Sequence, residues 1–470
     1  MRLESGSLDI LSAEEVARLH GAALRILDEV GMEIESAEMR AHLAEHGGRI
    51  DAAGADARVR FSPAVVHRFL TETETVDWAT LEPRVTASAG VYHSAYLEPG
   101  SNALLPWSEA LLADYAALAR QLPHIESAHL LGCNLAVPAP LEPLYERYYA
   151  WKIGAQESGS IHLDALCPYI LELCALRAEH LGRPIEQVFR GSAYLVPALK
   201  LGRHEAVQFL YFWQRGLRVS LGDMYAMGAT APVTAAGSLA LWLAEQLALG
   251  MVQRAFFGGR TLGLGCSISP MDMRTAIYAF GRPEMSLNNL AMAQMARFYG
   301  LPFSGHGGLT TAKLPSAEVG AQKALTAIPA LMASGRIHID AGLLSLDEIC
   351  SPVQMILDNE LASALAHLCR SYAVDDETLA LDLIAELGPG GHYLPTEHTA
   401  RHYRRELWEP HVWSRQMLGD WLEEGRPLDA DRATAWFHDT QRERQAAPSL
   451  DEAEEREILA LIERAAEAAI

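Results

Sequence analysis

The chain has 470 residues, 50% of them hydrophobic and 21% charged, which is enough for a large core in an ordinary globular protein. Its formal net charge of −22 argues against nucleic-acid or anionic-membrane partners, because both favour a basic surface. The first ten residues, MRLESGSLDI, lack the apolar stretch of a signal peptide. These features predict a cytoplasmic protein.

Six cysteines form no CxxC pair and match no zinc template; they stand at positions 133, 167, 174, 266, 350 and 369. We therefore expect buried, reduced thiols rather than disulfides or a metal site. The longest apolar stretch, AAGSLALWLAEQLALGMV, contains Glu245 and Gln246. Two polar residues inside it favour a buried helix over a membrane span.

Capping motifs predict a helical extension over residues 1–85. The sequence SAEE at 12–15 is a capping box, and the helix that it opens is expected to run to Gly31. Ser36 and the pair Ser62-Pro63 start two further helices. Residues 85–106 are rich in turn signals and predict a hairpin.

From about residue 108 short apolar runs alternate with helical patterns. The predicted strands are AHLLGCNLAV (128–137), SIHLDALC (160–167), SAYLVPAL (192–199), LRVSLG (217–222), TLGLGCSI (261–268), PFSG (302–305) and RIHIDAG (336–342). Gly300 and Gly335 are expected to end the helices before them. Repeated strand–helix units imply a parallel sheet, and six to eight of them predict a TIM-type (β/α)8 barrel over residues 86–440. A doubly wound open sheet is the alternative, although its GxGxxG fingerprint is absent.

The last residues, 441–470, predict a helical tail. Ser449 and Glu452 form a second capping pattern, and the apolar face of the helix carries Leu459, Leu461 and Ile462. We expect this face to pack on the body of the protein or on another subunit of a homo-oligomer.

The segment LGPGGHYLPTEHTARHYRRELWEP, residues 387–410, combines a Gly-Pro turn with three histidines. His398 and His402 are spaced i, i+4, as in a metal pair, but no acidic third ligand stands at a familiar offset. A helix capped by Thr396 explains the pattern more simply. The Gly-Pro-Gly-Gly run is either an anion-binding nest or a tight turn, with His392 directed towards the pocket.

Parallel barrels carry their chemistry at the carboxyl ends of the strands, and several predicted strand ends offer polar residues. Each could also be a satisfied core group, so the set indicates a site better than any member does. Cys266 stands at one strand end, without an assigned role. We assign as catalytic candidates His162, Asp223, His306, His338 and Asp340. We assign as substrate-binding candidates Asn134, Asp164, Tyr225, Met227, Phe303, Lys313, His392 and Tyr393.

Several long motifs resemble the trimethylamine methyltransferase family, and the resemblance runs in order through nearly the whole chain. They are LDILSAEEVARLHGAALRILDEVGMEI (8–34), MGATAPVTAAGSLAL (227–241), MDMRTAIYAFGRPE (271–284), AMAQMARFYGLPFSGHGG (291–308) and GPGGHYLPTEHTARHYRRELWEP (388–410). The resemblance implies a TIM-type barrel and methyl transfer from an amine to the cobalt of a separate corrinoid protein. The D-x-H-x-x-G pattern of cobalamin-binding proteins is absent, so this chain is expected to bind no cofactor itself.

The chain departs from the trimethylamine-using members of that family. Those members carry pyrrolysine, which this sequence lacks, and Ala321 and Gln322 replace a Tyr-Glu pair. The resemblance therefore implies a quaternary amine such as glycine betaine. Such a substrate leaves as a neutral amine, so positioning and desolvation suffice without a general acid.

An ammonium head group favours aromatic faces, and Tyr225, Phe303 and Tyr393 are candidates to supply them, although core or rim packing is the simpler explanation of each. A betaine carboxylate needs a cation or N–H donors, for which Lys313, His392 and the GPGG backbone are candidates. Asp223 or Asp340 is expected to balance the ammonium charge. Two other functions stay open: a barrel lyase or decarboxylase, and a non-catalytic amine-binding barrel.

Overall fold

The computed structural model describes residues 8–51, 57–92, 94–133, 135–195, 198–265, 267–444 and 449–468. Asn134 and Cys266, both expected at strand ends, lie outside these described residues. The α-helices in the described ranges are α1 (Ala13–Arg25), α2 (Ala37–Glu45), α3 (Pro63–Glu72), α4 (Glu109–Gln121), α5 (Glu142–Ile153), α6 (Cys167–Leu181), α7 (Arg203–Trp213), α8 (Ala235–Phe257), α9 (Pro283–Tyr299), α10 (Ala317–Ser334), α11 (Pro352–Leu368), α12 (Asp376–Leu379), α13 (Leu381–Leu387), α14 (Glu397–Glu406), α15 (Leu418–Glu423), α16 (Asp429–Thr440) and α17 (Glu452–Glu467).

The strands are mostly short. They are β1 (Met32–Ile34), β2 (Arg49–Ile50), β3 (Arg58–Arg60), β4 (Arg84–Val91), β5 (Ala95–Leu97), β6 (Leu104–Leu105), β7 (Ser127–Leu130), β8 (Gln156–Glu157), β9 (Gly191–Leu195), β10 (Lys200–Leu201), β11 (Val219–Asp223), β12 (Tyr225–Met227), β13 (Leu264–Gly265), β14 (Ile268–Pro270), β15 (Phe303–Gly307), β16 (Arg336–Ala341), β17 (Leu343–Leu344) and β18 (Ile349–Cys350).

The amino-terminal helices follow the capping signals of the sequence. Ser12 accepts a hydrogen bond from the Glu15 N–H, and the Glu15 carboxylate accepts one from the Ser12 N–H at 2.8 Å, which confirms the capping box. After α1 the chain continues as a π-helical turn, Ile26–Val30, and stops at Gly31, whose φ of 74° suits glycine. The apolar face of α1 packs against α8.

A curled parallel sheet organises the middle of the chain. Six strands pair in the order β13, β15, β16, β4, β7 and β8. β16 and β4 are distant in sequence, yet they pair over six residues, from Arg336 with Arg84 to Ala341 with Ala89. Two further parallel pairs join β9 to β11 and β12 to β14. The protein therefore has an α/β fold whose parallel sheet curls back on itself.

The remaining joins between these ladders rest on single backbone hydrogen bonds. The Ser192 N–H donates to the Gly159 carbonyl at 3.0 Å, next to β8, and the Tyr225 N–H donates to the Ser267 carbonyl at 3.2 Å. Among the described residues, no ladder joins β8 to β9 or β11 to β13. The α/β fold is thus shown, whereas full closure of the predicted eight-stranded barrel is not established.

Two strand predictions were wrong. Residues 84–91 form the parallel strand β4, and the expected hairpin begins only afterwards, as β5 and β6. The run SIHLDALC contains no strand, because His162 has a φ of 58° and Asp164–Leu166 form a 3-10 turn. The strand of this strand–helix unit is instead β8, Gln156–Glu157, which begins six residues before His162.

The long apolar stretch of the sequence is α8. It is long and apolar enough to cross a membrane by length and composition, but 67% of its most apolar window is buried inside the protein. Trp242, Leu243 and Leu247 are fully buried, and Glu245 is buried with them. The predicted burial of this helix is confirmed. The five described cysteines are also buried, and each is a thiol rather than half of a disulfide, as expected.

The carboxyl-terminal helix α17 packs on α6. Ile458, Leu461 and Ile462 are buried, and Glu454 forms a buried ion pair with Arg177 at 2.7 Å. Asp451, rather than Ser449, caps this helix. The tail therefore packs on the body of its own chain.

Candidate functional site

The strands of the curled sheet have two different faces. One face packs its Ala, Val and Ile side chains against helices, as Ala87, Ile337 and Ile339 do. The opposite face, turned away from the helices, is called the inner face below. Its residues are Thr86, Ser88 and Gly90 on β4, Ser127 and His129 on β7, Ser192 and Tyr194 on β9, Ser220 and Gly222 on β11, Ser304 and His306 on β15, and Arg336, His338 and Asp340 on β16.

This composition differs from that of an ordinary parallel barrel, whose interior is filled by branched apolar side chains. Small hydroxyl groups and glycines leave space between the strands. Ser220 and Ser304 are exposed, and Tyr194 is 65% exposed. The inner face is therefore accessible and can hold a small molecule.

Three predicted catalytic candidates meet on this face because β15 and β16 are neighbours in register. His306 Nε2 lies 2.7 Å from Asp340 Oδ2, and His338 Nε2 lies 3.6 Å from Asp340 Oδ1. The side chains of His306 and His338 are 33% and 37% exposed, against 16% for Asp340. A ligand can therefore reach both imidazoles, while the carboxylate lies deeper between them.

Strand β4 fixes the ring of His338 from both sides. The Thr86 hydroxyl lies 2.9 Å from His338 Nδ1 and donates its own proton to the Ile337 carbonyl, so it accepts from Nδ1–H. The Ser88 hydroxyl lies 2.9 Å from Nε2. The Ser88 hydroxyl can donate to Nε2 or accept from it, so these contacts orient the ring and accommodate both a neutral and a charged His338.

The electrostatics of the cluster favour the charged form of His338. Burial would raise the pKa of Asp340, but hydrogen bonds from His306 and His338 outweigh it and hold this pKa well below its usual range. Burial likewise opposes a charge on His338, yet the contact with Asp340 prevails and raises its pKa. Burial, reinforced by the nearby His338, lowers the pKa of His129. The inner face thus presents a carboxylate beside an imidazole whose protonation that carboxylate favours.

Two tyrosines lie near this pair. Tyr92 directly follows β4, and burial raises its pKa, followed by the charge of Asp340 and smaller effects from neighbours that include Tyr194. Tyr194 projects from β9, on the same inner face. A third aromatic ring, Phe280, meets the His306 ring edge-on at 6.3 Å between centres. Aromatic faces therefore accompany this pair.

Asp223 and Tyr225 form a different cluster, turned towards α8. The Tyr225 hydroxyl lies 2.7 Å from Asp223 Oδ2 and also contacts Glu245, and Gln246 donates to Asp223 at 2.7 Å. Burial raises the pKa of Glu245 to about 7. Tyr225 is fully buried. Tyr225 is therefore a core residue rather than an exposed aromatic face, and both residues brace the helix behind the strand.

Phe303 and Met227 also belong to the core rather than to an accessible site. Phe303 is 2% exposed and Met227 is 6% exposed. The Asn288 side chain contacts the Met227 sulfur at 3.2 Å and donates to the Ile268 carbonyl at 3.0 Å. Both residues stand at alternate positions that point towards helices, which explains the error.

His162 and Asp164 lie against α7. Gln208 donates to the His162 carbonyl at 3.1 Å, and His204 Nδ1 lies 3.0 Å from Asp164 Oδ2. The His162 side chain is exposed and precedes the turn into α6. Their side chains and backbone therefore contact α7, and no contact among the described residues joins them to the His306–Asp340–His338 cluster.

The other expected substrate-binding residues lie in exposed loops. Lys313 donates to the Thr311 carbonyl and lines a cavity of about 450 Å³ together with Asp272 and Glu318. His392 and Tyr393 are exposed in the turn before α14. This turn is held locally by Thr396, whose hydroxyl donates to the Tyr393 carbonyl at 2.7 Å. None of these contacts involves the inner face.

The predicted cap of α14 is confirmed, since Thr396 accepts a hydrogen bond from the Thr399 N–H. The rings of His398 and His402 lie 4.4 Å apart between centres and are tilted by 45° to each other. Throughout the described ranges, no group of three or more His, Cys, Asp and Glu side chains is arranged to hold a metal ion.

Sequence reasoning did not find Tyr92, Tyr194, His129 or the Thr86–Ser88 pair. The strand RVTASAGV carries small residues and no apolar run, so periodicity did not reveal it. Its alternation of Thr86, Ser88 and Gly90 with Ala87, Ala89 and Val91 was the available signal.

A sequence profile of the trimethylamine methyltransferase (MTTB) family matches residues 2–84 and 203–469, which is more than half of the chain. The chain belongs to the trimethylamine methyltransferase family. Membership of this family indicates a methyl-transfer enzyme. The profile leaves residues 85–202 unmatched, a range that includes β4 and β9 of the inner face.

Individual proteins that resemble the chain are methyltransferases as well. Over 445 residues the chain is 25% identical to a glycine betaine methyltransferase of Desulfitobacterium hafniense (strain Y51), covering 88% of this chain and 89% of the relative. A trimethylamine methyltransferase MttB of Desulfitobacterium hafniense (strain DSM 10664 / DCB-2) is 29% identical over 50% of this chain and 47% of its own length. The crystal structure of Methanosarcina barkeri monomethylamine methyltransferase (MtmB) is 8% identical, with a TM-score of 0.43 over 92% of this chain and 93% of that one.

Proposed function

We propose that this protein moves a methyl group from a quaternary, betaine-like amine to the Co(I) corrinoid of a separate corrinoid protein. The observation that most supports this proposal is the accessible polar inner face, on which Asp340 lies between His306 and His338. The match to a glycine betaine methyltransferase across most of both chains supports the substrate class. The missing pyrrolysine supports a quaternary rather than a tertiary amine.

The charges of the inner face suit a zwitterion. His338, when protonated, is a partner for a carboxylate, and Asp340 balances a nearby ammonium. The rings of Tyr92, Tyr194 and Phe280 offer cation–π contacts of ~0.5–2 kcal/mol each. A site with one group of each kind favours a betaine over choline or a simple methylamine, which lack the carboxylate.

The reaction then requires little from the protein beyond placing the substrate. The carbon–nitrogen bond of the substrate breaks, its electron pair stays on the leaving tertiary amine, and the corrinoid accepts the methyl group. No proton moves, because the amine leaves neutral. The inner face orients one methyl group, excludes water around the ammonium and holds the opposing charges in place.

We also propose the architecture that this function needs: a barrel of eight parallel strands over residues 86–440, with a helical extension at 1–85 and a helical tail at 441–470. The eight barrel strands would be, in their order along the chain, β4, β7, β8, β9, β11, β13, β15 and β16. This order supports the proposal. The pairing of β16 with β4 supports closure between the last and first strands. The family and the composition fit a cytoplasmic enzyme.

The test is reconstitution with a reduced corrinoid protein and a panel of betaines, choline and methylamines. We expect methylated corrinoid, followed by absorbance, together with the demethylated amine, identified by mass spectrometry, for at least one betaine. Binding of an amine without loss of a methyl group would instead support a non-catalytic binding protein. Conversion of a carboxylate substrate without corrinoid would support the lyase or decarboxylase alternative.

A further inference from the structure

A cavity of about 390 Å³ lies between β11 and β13, where no ladder joins the described parts of these two strands. Arg218, Ser220 and Leu221 line it from the β11 side, and the loop before β13 lines it from the other side, over residues 258–263. The carboxyl-terminal half of α8 forms a third wall. The cavity has the size that proteins use for small organic ligands.

This cavity is separate from the contact between His306 and Asp340. Arg218 directly precedes β11, and residues 261–263 directly precede β13, so the cavity lies at the amino ends of these strands. His306 and Asp340, in contrast, stand near the carboxyl ends of β15 and β16. A ligand in the cavity would therefore be distinct from the amine of the proposed reaction, and its binding can be tested without that reaction.

The wall of the cavity is positive although the chain is strongly negative. The whole sequence has 60 Asp and Glu residues against 38 Lys and Arg residues. The described residues that line the cavity nevertheless include Arg218 and Arg254 and no Asp or Glu. Burial lowers the pKa of Arg254, and the charge of Arg260 adds to this effect against that of Glu72, so a third guanidinium stands nearby. Such a wall favours an anionic ligand.

Arg218 is held in place without being neutralised. Its Nε donates to the Gln253 side chain at 3.1 Å, and its guanidinium lies 5.5 Å from the centre of the Phe257 ring. Neither contact supplies a negative charge, and within the described ranges its two terminal nitrogens have no hydrogen-bond partner. A positioned guanidinium of this kind, in the wall of a cavity, suits two-point binding of an oxyanion.

The rest of the wall combines hydroxyl groups, an open backbone and apolar surface. Ser220 and Thr261 are exposed and can each donate a hydrogen bond. Gly259 has a φ of 83°, and a Cβ there would meet no atom within 4 Å, so a ligand can approach the backbone of the loop closely. Leu262 and the ring of Phe257 supply apolar surface. These groups suit a ligand that has an anionic head and a small organic body.

We propose that the cavity between β11 and β13 binds a small phosphate monoester, whose phosphate group Arg218, Ser220 and Thr261 hold. A phosphate group carries about 1.5 to 2 negative charges and three acceptor oxygens, which match one guanidinium and two hydroxyl groups better than a carboxylate does. Arg254 adds positive charge, but it already donates to the Phe69 carbonyl at 2.8 Å. Arg218 is therefore the main anion-binding residue.

The test measures binding of glycerol 3-phosphate, inorganic phosphate and glycerate to the full chain by isothermal titration calorimetry. We expect glycerol 3-phosphate to bind with a dissociation constant of ~1 mM or lower, and glycerate to bind at least ~10-fold more weakly because its carboxylate has less charge. Inorganic phosphate should bind more weakly than the ester, since it leaves the apolar wall uncovered.

Three variants locate the binding. Arg218→Gln should weaken binding of glycerol 3-phosphate at least ~10-fold, through loss of the guanidinium contacts. Arg215→Gln is the matched control, because Arg215 also lies over an aromatic ring, that of Tyr211 at 3.6 Å, but does not line the cavity. Gly263→Leu should weaken binding by filling the cavity without changing its charge, since the atom nearest to a Cβ at Gly263 is 4.0 Å away.

Urea unfolding of each variant shows whether it folds like the parent. If Arg218→Gln does not fold, Gly263→Leu still decides the outcome, because it keeps every charge. Absence of binding by the parent up to about 10 mM glycerol 3-phosphate would overturn the proposal. So would binding that a folded Gly263→Leu variant leaves unchanged, or equal losses in Arg215→Gln and Arg218→Gln. Tighter binding of glycerate or of inorganic phosphate than of the ester would overturn the proposed ligand class.

Discussion

Asp340 is the carboxylate that two neighbouring imidazoles contact on the inner face. It accepts from His306 at 2.7 Å and lies 3.6 Å from His338, whose pKa it raises. Asn at this position keeps the size of the side chain and an acceptor oxygen but removes the charge. We expect Asp340→Asn to lower kcat/KM for a betaine by ~100-fold or more, because the ammonium group loses the opposing charge that binds and orients it.

The same change should lower the pKa of His338 towards its ordinary value, which NMR titration of the imidazole measures. Asp164→Asn is the control, since that carboxylate pairs with His204 on α7. Equal losses in both variants would show that Asp340 has no special role.

Two substitutions of Tyr92 distinguish the contribution of its aromatic ring to substrate binding from that of its hydroxyl group. We expect Tyr92→Leu to raise the KM for a betaine by roughly 2–30-fold, as expected for the loss of one cation–π contact of ~0.5–2 kcal/mol. Tyr92→Phe keeps the aromatic face and should keep KM within about twofold. A similar rise in both variants would mean that the hydroxyl, not the ring, contacts the substrate.

Glu245 makes stability depend on pH. Burial raises its pKa from 4.5 to about 7, so the folded protein holds a proton that the unfolded chain releases. Stability from this group is complete below pH 4.5 and is lost as the pH rises to 7 and above, by up to ~3 kcal/mol. Glu245→Gln copies the protonated form and should flatten this part of the curve.

Urea unfolding between pH 5 and 8 measures the effect of Glu245→Gln. The variant should equal the parent near pH 5 and exceed it at pH 8. An unchanged pH slope would show that Glu245 is ionised in the folded protein. Tyr148→Phe, a change in another tyrosine–carboxylate contact, with Glu455 at 2.6 Å, serves as the control.

At the scale of elements, a buried ion pair joins α10 and α11 beneath the site. Lys323 Nζ lies 2.6 Å from Asp358 Oδ2 and 3.2 Å from the Asp340 carbonyl, and both side chains of the pair are 1% exposed. Asp358 also accepts the Gly342 N–H. We expect Lys323→Met to cost about 3–5 kcal/mol, because it leaves a buried carboxylate unpaired.

Lys323→Met combined with Asp358→Leu should recover a large part of that loss, since both charges are then gone. The remaining deficit reflects the unsatisfied Gly342 N–H. Chemical denaturation of the two variants gives both values. If the double variant were as unstable as the single one, packing rather than charge would explain the cost.

Elements with strong local signals could be predicted from the sequence. The capping box at Ser12, the cap at Thr396 and the αL glycines 300 and 335 all define helix ends as expected. β16 was visible because RIHIDA alternates apolar and polar residues. β4 was missed because two of its four helix-facing residues are alanines, whose small side chains give a weak apolar period.

The candidate site could be predicted only in part. His306, His338 and Asp340 were identified from strand ends, and their meeting depends on β15 pairing with β16. The sequence does not reveal which way a residue at a strand end points, so Phe303, Met227 and Tyr225 were placed with them although they face the helices. Thr86 and Ser88 join from the neighbouring strand β4, which is distant along the chain, through a ladder that no local pattern encodes.

At the scale of the whole molecule, α17 completes the core from the far end of the chain. It buries Ile458, Leu461 and Ile462 and neutralises the buried guanidinium of Arg177. We expect a chain truncated after residue 448 to lose about 3–5 kcal/mol, because Arg177 loses its partner and apolar surface on α6 becomes exposed.

The measurement for the truncated chain is thermal unfolding together with sedimentation, which detects aggregation through the exposed α6 surface. Arg464→Ala, which removes only the exposed pair with Glu172, is the control and should change stability by less than ~1 kcal/mol. Equal stability of the truncated and full chains would show that α17 contributes little to the fold.

The hydrogen bonds of His338 to Thr86 and Ser88 bring together residues about 250 positions apart. A ribosome must therefore translate as far as residue 340 of 470 before the pocket can exist in any form. Contacts of such long range are slow to form, so acquisition of ligand affinity should be among the last events of folding. Before that moment the nascent chain carries unpaired strand edges, and chaperones that shield such edges have a long interval in which to act.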